Sequence, residues 1–139
     1  MPKDSMLLRE KRKALYSLYK QGLEDGRFSS IREAGNWLAM QPAPSYFISS
    51  QQASDFVGKI ISHQSLMDVG AAKRRKIWKL FHDYEQYLAE HPGTKKSRDS
   101  IMEELVERPA PEFYMTGEAV RKLLRIEIAE IRRKTGWGE

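Results

Sequence analysis

The sequence predicts a mainly α-helical protein built from two degenerate three-helix repeats joined into one compact domain. The prediction begins with QPAPSYFIS at residues 41–49, which is matched by RPAPEFYMT at residues 108–116 with the same Pro-Ala-Pro and a similar aromatic pair. A second match, upstream of the first, aligns KRKALYSLY at 11–19 with KRRKIWKLF at 73–81. Because the two matches occur in the same order in both halves, they indicate an internal duplication.

The offset between the halves is 62 residues for the upstream match and 67 for the downstream one. The second half is therefore predicted to hold about five extra residues, in the segment AEHPGTKKSRDS at 89–100. On this basis the first helical unit covers residues 1–67 and the second covers residues 68–139.

The first helix of each unit is predicted from apolar residues at helical spacing, over residues 7–22 and again over residues 73–89. Such spacing indicates an amphipathic helix that buries one face. The predicted buried faces hold Leu8, Leu15, Leu18 and Tyr19 in the first unit, and Ile77, Leu80, Phe81, Tyr84 and Leu88 in the second.

The second helix of each unit is predicted to begin at a capping box, formed by Ser30 with Glu33 and by Ser100 with Glu103. In this motif the hydroxyl and the carboxylate accept hydrogen bonds from free backbone N–H groups. The Pro-Ala-Pro element then ends the helix, because proline has no N–H group and disfavours helical geometry in the residue before it.

A short aromatic segment follows each Pro-Ala-Pro element, SYFIS in the first unit and EFYMT in the second. These segments are predicted to run extended, with pairing into a two-stranded ribbon left open. Ser49 and Thr116 are placed to cap the third helices. The aromatic rings predicted to pack in the core are those of Tyr46, Phe47, Phe113 and Tyr114.

Composition narrows the classes of protein. The chain has no cysteine, which removes disulfide frameworks and thiolate metal sites and fits a cytoplasmic location. No run approaches the ~20 apolar residues of a membrane span, so no membrane partner is expected. The 24 basic residues outnumber the 19 acidic ones, giving a net charge of +5, which permits an anionic partner without being evidence for one.

No pattern of catalytic or metal-binding residues is present in the sequence. His63, His82 and His91 lack metal-ligand spacing, and no glycine-rich phosphate loop occurs. The acidic run at 103–107 fits a solvated helix surface with local ion pairs. The chain is therefore expected to be no enzyme and to need no cofactor and no metal.

Basic residues recur at helical spacing on two predicted helices. Arg9, Lys13 and Lys20 share one stripe, and the last helix repeats the spacing of four and then seven residues. Clustered cations favour phosphate contacts, although long basic side chains also cover apolar surface with their methylene stems. The candidate nucleic-acid-binding residues are Arg9, Lys13, Lys20, Lys73, Arg74, Arg75, Lys76, Arg121, Lys122, Arg125, Arg132 and Arg133.

The order of helix, helix, turn and helix is loosely similar to a trihelical helix-turn-helix unit. The connector departs from that pattern, because it spans about seven residues with Pro-Ala-Pro where the usual turn has three or four. By this similarity, Gln51, Gln52, Ser54, Glu118 and Lys122 near the starts of the third helices are candidates for base contacts.

Two functions follow from the sequence. The first is a regulatory or accessory nucleic-acid-binding protein, with DNA favoured, in which basic stripes on helices contact phosphates. The second is a non-catalytic interaction or scaffold protein, in which apolar faces bind another protein or a second copy of the chain. Convergence of the cations on one surface would favour the first, and an exposed apolar patch would favour the second.

Overall fold

The computed structural model describes the backbone of residues 3–135 and the side chains of residues 6–135. Within these limits the chain forms six α-helices and no strand, so the predicted mainly α class is confirmed. The helices are α1 Lys3–Glu24, α2 Ile31–Ala39, α3 Ser50–Ile61, α4 Ala71–Glu90, α5 Arg98–Leu105 and α6 Gly117–Thr135.

In the described part of the chain, none of the helices combines the length and the apolar character that a membrane crossing requires.

The helices pack as two groups of three. One group consists of α1, α2 and α6, and the other consists of α3, α4 and α5. The third helix of each sequence unit therefore packs against the first and second helices of the other unit. The packing thus joins helices from both of the predicted units, residues 1–67 and 68–139. The division of the chain into these units remains a prediction.

The two Pro-Ala-Pro elements meet at the centre of the molecule. The N–H group of Ala43 donates to the carbonyl of Ala110, and the N–H group of Ala110 donates to the carbonyl of Ala43, each over 2.9 Å. Among residues 3–135 this antiparallel bridge is the whole of the β pairing. The pairing thus involves the alanines rather than the aromatic segments for which a ribbon was considered.

The aromatic segments contribute stacked rings next to this bridge. Tyr46 stacks on Tyr114 with ring centroids 6.2 Å apart, and Phe47 stacks on Phe113 at 6.0 Å. Tyr46, Phe113 and Tyr114 are buried, which confirms the prediction of at least one buried ring from each unit. Phe47 and Tyr114 have positive φ angles of 50° and 56°, a conformation that bulky residues rarely adopt.

Hydroxyl groups cap the helices largely as predicted. The side chains of Ser30, Ser49 and Thr116 each accept a hydrogen bond from the N–H group three residues later. The predicted box at Ser100 is wrong, because Ser97 is the N-cap of α5 and its hydroxyl accepts from the Ser100 N–H group at 3.1 Å. The helix starts one turn earlier because Ser97 offers the same capping chemistry.

The second helices end before their prolines. The C-caps are Met40 for α2 and Val106 for α5, whereas the prolines begin at Pro42 and Pro109. The role of Pro-Ala-Pro as the helix stop therefore remains a prediction. The loop between α4 and α5, residues 91–97, is one residue longer than the loop between α1 and α2, so the predicted five-residue difference does not arise there.

Most of the predicted apolar residues enter the core or pack on it. The exceptions are Leu8 and Leu88, which are 46% and 39% exposed, because each lies near an outer end of its helix. The largest fully buried side chains are those of Phe113, Leu15, Leu38, Ile77, Leu80, Ile101, Met102, Leu105, Leu124, Val57 and Val120.

Candidate nucleic-acid interface

An internal ion pair joins α1 to α6. The Arg12 guanidinium lies 3.7 Å from the Glu127 carboxylate and contacts the Glu130 carboxylate more closely. All three side chains are buried or half-buried, and the single positive charge of Arg12 is shared between the two carboxylates within the helix contact. The carboxylates at this contact, those of Glu127 and Glu130, are therefore paired with Arg12.

Seven of the predicted cations lie exposed on these two helices, and we call them the α1–α6 basic face. Within the described side chains, none of the seven has a carboxylate within 4.0 Å, whereas Arg12 between the helices does. Because α1 packs directly on α6, the face occupies adjoining helices of one group. Its members are Arg9, Lys13, Lys20, Lys122, Arg125, Arg132 and Arg133.

Arg121 differs from its neighbours on the predicted stripe because it is half-buried against α2. A Cβ atom built on Gly35 would lie 2.5 Å from Cγ of Arg121 and 2.6 Å from the Gly117 carbonyl oxygen. The arginine stem thus covers the glycine where α2 and α6 approach most closely. Arg121 supports the helix contact in addition to any charge it presents.

The four consecutive cations of α4 are spread around that helix. Arg75 pairs with Glu112 over 2.9 Å, and Lys73 Nζ lies 5.0 Å from the ring centroid of Phe56. Arg74 lines a separate cleft with Trp78.

Lys76, the last of these cations, is only 7% exposed, and its Nζ donates a hydrogen bond to the Tyr46 carbonyl over 3.1 Å. Lys76 is therefore not one of the exposed cations, because the helix turns this side chain inward, and its role in phosphate binding stays a prediction.

The candidates for base contacts are also divided. Ser54 is fully buried, where its hydroxyl accepts a hydrogen bond from Arg98 Nε over 3.0 Å and donates one to Asp99. It joins α3 to α5 and cannot reach a nucleic-acid base. Gln51 and Glu118 are exposed, and Gln52 is half-buried.

A cleft between α1 and α4 gathers three lysines, one of which the sequence did not single out. It has a volume of about 420 Å³, and Lys11, Lys73 and Lys76 line it together. Burial, followed by the charges of Lys11 and Lys73, lowers the pKa of Lys76 to about 7. Burial and the charge of Lys73 also lower the pKa of Lys11. The cleft brings together residues from distant parts of the sequence, so no local pattern identified Lys11.

Among the side chains from Met6 to Thr135, no group of three or more His, Cys, Asp or Glu residues is placed to hold a metal ion.

No protein-family model matches the chain, and comparisons with curated proteins and with solved structures find no significant match.

Proposed function

We propose that the protein binds nucleic acid, with DNA favoured over RNA, through the α1–α6 basic face. The observation that carries the proposal is the presence of seven exposed cations without carboxylate partners, among the described side chains, on two helices in direct contact. Each cation that neutralises a backbone phosphate releases a condensed counterion, so several modest contacts add up to useful affinity. The proposed role is accessory or regulatory, without catalysis, and the proposed location is the cytoplasm.

The proposal includes an internal duplication in which the third helices are exchanged between units. Three features support it at a common offset of 67 residues: the bridged alanines Ala43 and Ala110, the positive-φ residues Phe47 and Tyr114, and the turn glycines at 26 and 93. The helix contacts also keep the same pattern when the halves are interchanged. If two equivalent units exchange their third helices, the group α1, α2 and α6 and the group α3, α4 and α5 should have related arrangements.

Fluorescence anisotropy tests the proposal with random duplex and single-stranded DNA and RNA across a salt series. Replacing Lys122, Arg125 and Arg132 together by glutamine should weaken binding across all sequences and reduce the salt slope by about one per lost phosphate contact. Glutamine preserves helix propensity, so circular dichroism should be unchanged.

A matched control removes three exposed cations outside the face, Arg32, Lys95 and Arg108, by the same substitution. The control changes the net charge by the same amount as the first triple variant. If the α1–α6 basic face is the specific binding surface, the control should lose clearly less affinity. Equal losses in the two triple variants, or no salt-sensitive binding by the unmodified protein at micromolar concentration, would remove the proposal.

The alternative function, an interaction or scaffold protein, has a different observation in its favour. Trp78 and Met67 are 44% and 82% exposed beside a cleft of about 370 Å³ that Ile60 and Leu66 also line. Exposed apolar groups around a concavity are typical of surfaces that bind another protein. Light scattering that shows self-association, abolished by Trp78→Ser and unaffected by the triple glutamine variant, would favour this alternative.

A further inference from the structure

We propose that the cleft between α1 and α4 is a phosphate-binding site, separate from the α1–α6 basic face, in which Lys11, Lys73 and Lys76 hold a terminal phosphate group. We call it the lysine cleft. Its lining residues are Leu7, Leu8, Lys11, Phe47, Ile48, Gln52, Lys73, Lys76 and Tyr114.

The first argument is charge without compensation. Lys11 and Lys73 are half-buried and Lys76 is buried, yet none has a carboxylate within 4.0 Å among the side chains of residues 6–135. Gathering like charges away from water is unfavourable unless an opposite charge joins them. A phosphate in the cleft would supply that negative charge. A purely structural role would not require three lysines in one place.

The second argument is the orientation of Lys76. Its Nζ atom is held by the hydrogen bond to the Tyr46 carbonyl, which uses one of the three donors of an ammonium group. Two donors of the ammonium group remain after this bond, and the side chain belongs to the lining of the cleft. Gln52 and Tyr114 add neutral polar groups to the same lining.

The third argument concerns the kind of phosphate. A volume of about 420 Å³ is larger than a bare phosphate ion needs, and Leu7, Leu8 and Ile48 make part of the lining apolar. A phosphate monoester fits this combination, because its dianionic end matches the lysines and its organic part covers the apolar wall. The terminal phosphate can come from a small phosphate ester or from the 5′ end of a nucleic acid.

Phosphate binding should be linked to proton uptake. The titratable side chains that line the cleft with Lys76 are Lys11, Lys73 and Tyr114, while α3 contributes the neutral Gln52 and α5 lines none of it. Because Lys76 titrates near pH 7 in the free protein, its protonation below that pH adds a positive charge to the site. Affinity should therefore rise as the pH falls from about 8.5 to about 7, a range in which a phosphate monoester, with a second pKa of about 6, stays dianionic.

Isothermal titration calorimetry with phenyl phosphate tests the site, with sodium chloride at matched ionic strength as the blank. The double variant Lys11→Gln/Lys73→Gln should bind at least roughly tenfold more weakly, whereas the control Arg32→Gln/Lys95→Gln, whose residues lie outside both the lysine cleft and the α1–α6 basic face, should bind as the unmodified protein does. If the double variant does not fold by circular dichroism, the single variant Lys73→Gln takes its place with the same expectation.

A second arm identifies the source of the phosphate. Stronger binding of a 5′-phosphorylated oligonucleotide than of its 5′-hydroxyl form, lost in the Lys11→Gln/Lys73→Gln variant, would assign a nucleic-acid end. Binding of phenyl phosphate alone would assign a small ester. Failure of both ligands to bind, or equal binding by the double variant and its control, would overturn the lysine cleft while leaving the test of the α1–α6 basic face unaffected.

Discussion

Replacing Lys76 by methionine isolates the energetic effect of one buried ammonium group. In the unfolded chain this lysine has its ordinary pKa of 10.5, whereas in the folded protein the pKa falls to about 7, chiefly through burial and then through Lys11 and Lys73. Between these values the unfolded state binds the additional proton, so the free energy of unfolding must rise with pH. At about pH 9, two pH units above the folded pKa, the gain is about 2 to 3 kcal/mol.

Methionine has a similar length and no charge, so the Lys76→Met variant should lack this gain. It should be at least as stable as the unmodified protein near pH 6, where the buried ammonium is charged, and relatively less stable near pH 9. The lost hydrogen bond to the Tyr46 carbonyl lowers the stability of the variant by about 1 kcal/mol at every pH, without changing the slope.

Urea denaturation followed by circular dichroism at several pH values between about 6 and 9 measures this effect. Lys13→Met is the control, because it removes an exposed lysine of α1 by the same substitution. The difference in stability between the unmodified protein and Lys76→Met should change by about 2 to 3 kcal/mol over this range, and the control difference should stay constant. Parallel curves for the protein and Lys76→Met would refute the charge-burial argument.

Three further predictions concern stability and are read from the same denaturation curves. Phe113→Ala should cost about 3 to 5 kcal/mol, since its ring is among the largest fully buried side chains, and an unchanged midpoint would contradict that packing. Ser97→Ala should cost about 1 kcal/mol and Ser100→Ala much less, because Ser97 is the N-cap of α5; the reverse order would restore the original capping assignment. Gly35→Ala should cost about 1 to 3 kcal/mol because its Cβ would meet a backbone carbonyl of α6 at 2.6 Å. The control Gly70→Ala should cost little, because no heavy atom lies within 4 Å of the added Cβ. Equal effects of the two substitutions would argue against the close approach of α2 to α6.

The helices were predictable from sequence because their signals are local. Apolar spacing placed α4 to within two residues of its observed start, and the hydroxyl caps at Ser30 and Ser49 marked two helix starts. Ser100 carries the stronger local signal, a capping box with Glu103, whereas Ser97 has a hydroxyl without that partner, so the local pattern favoured the wrong serine. The partner of each third helix could not be predicted, since no local pattern states which distant helix it contacts.

The candidate site was partly predictable for the same reason. The cations of the α1–α6 basic face follow the polar sides of amphipathic helices, so their exposure could be read from spacing alone. The burial of Lys76 follows from its position, because it lies four residues before Leu80 on the buried side of α4, and the prediction from sequence considered only its charge. Lys11 could be identified only from the cleft that it lines with Lys73 and Lys76, which the three-dimensional structure supplies.

The grouping of α6 with α1 and α2, and of α3 with α4 and α5, has a consequence for how the protein is made and degraded. A nascent chain that has emerged only as far as α3 holds α1 and α2 without the helix that covers them, and this remains so until α6 leaves the ribosome. The apolar faces of α1 and α2 should thus stay exposed until α6 is synthesised, which favours the binding of chaperones to the incomplete chain. Loss of α6 by proteolysis would uncover α1 and α2 again and would therefore favour further cleavage of these helices.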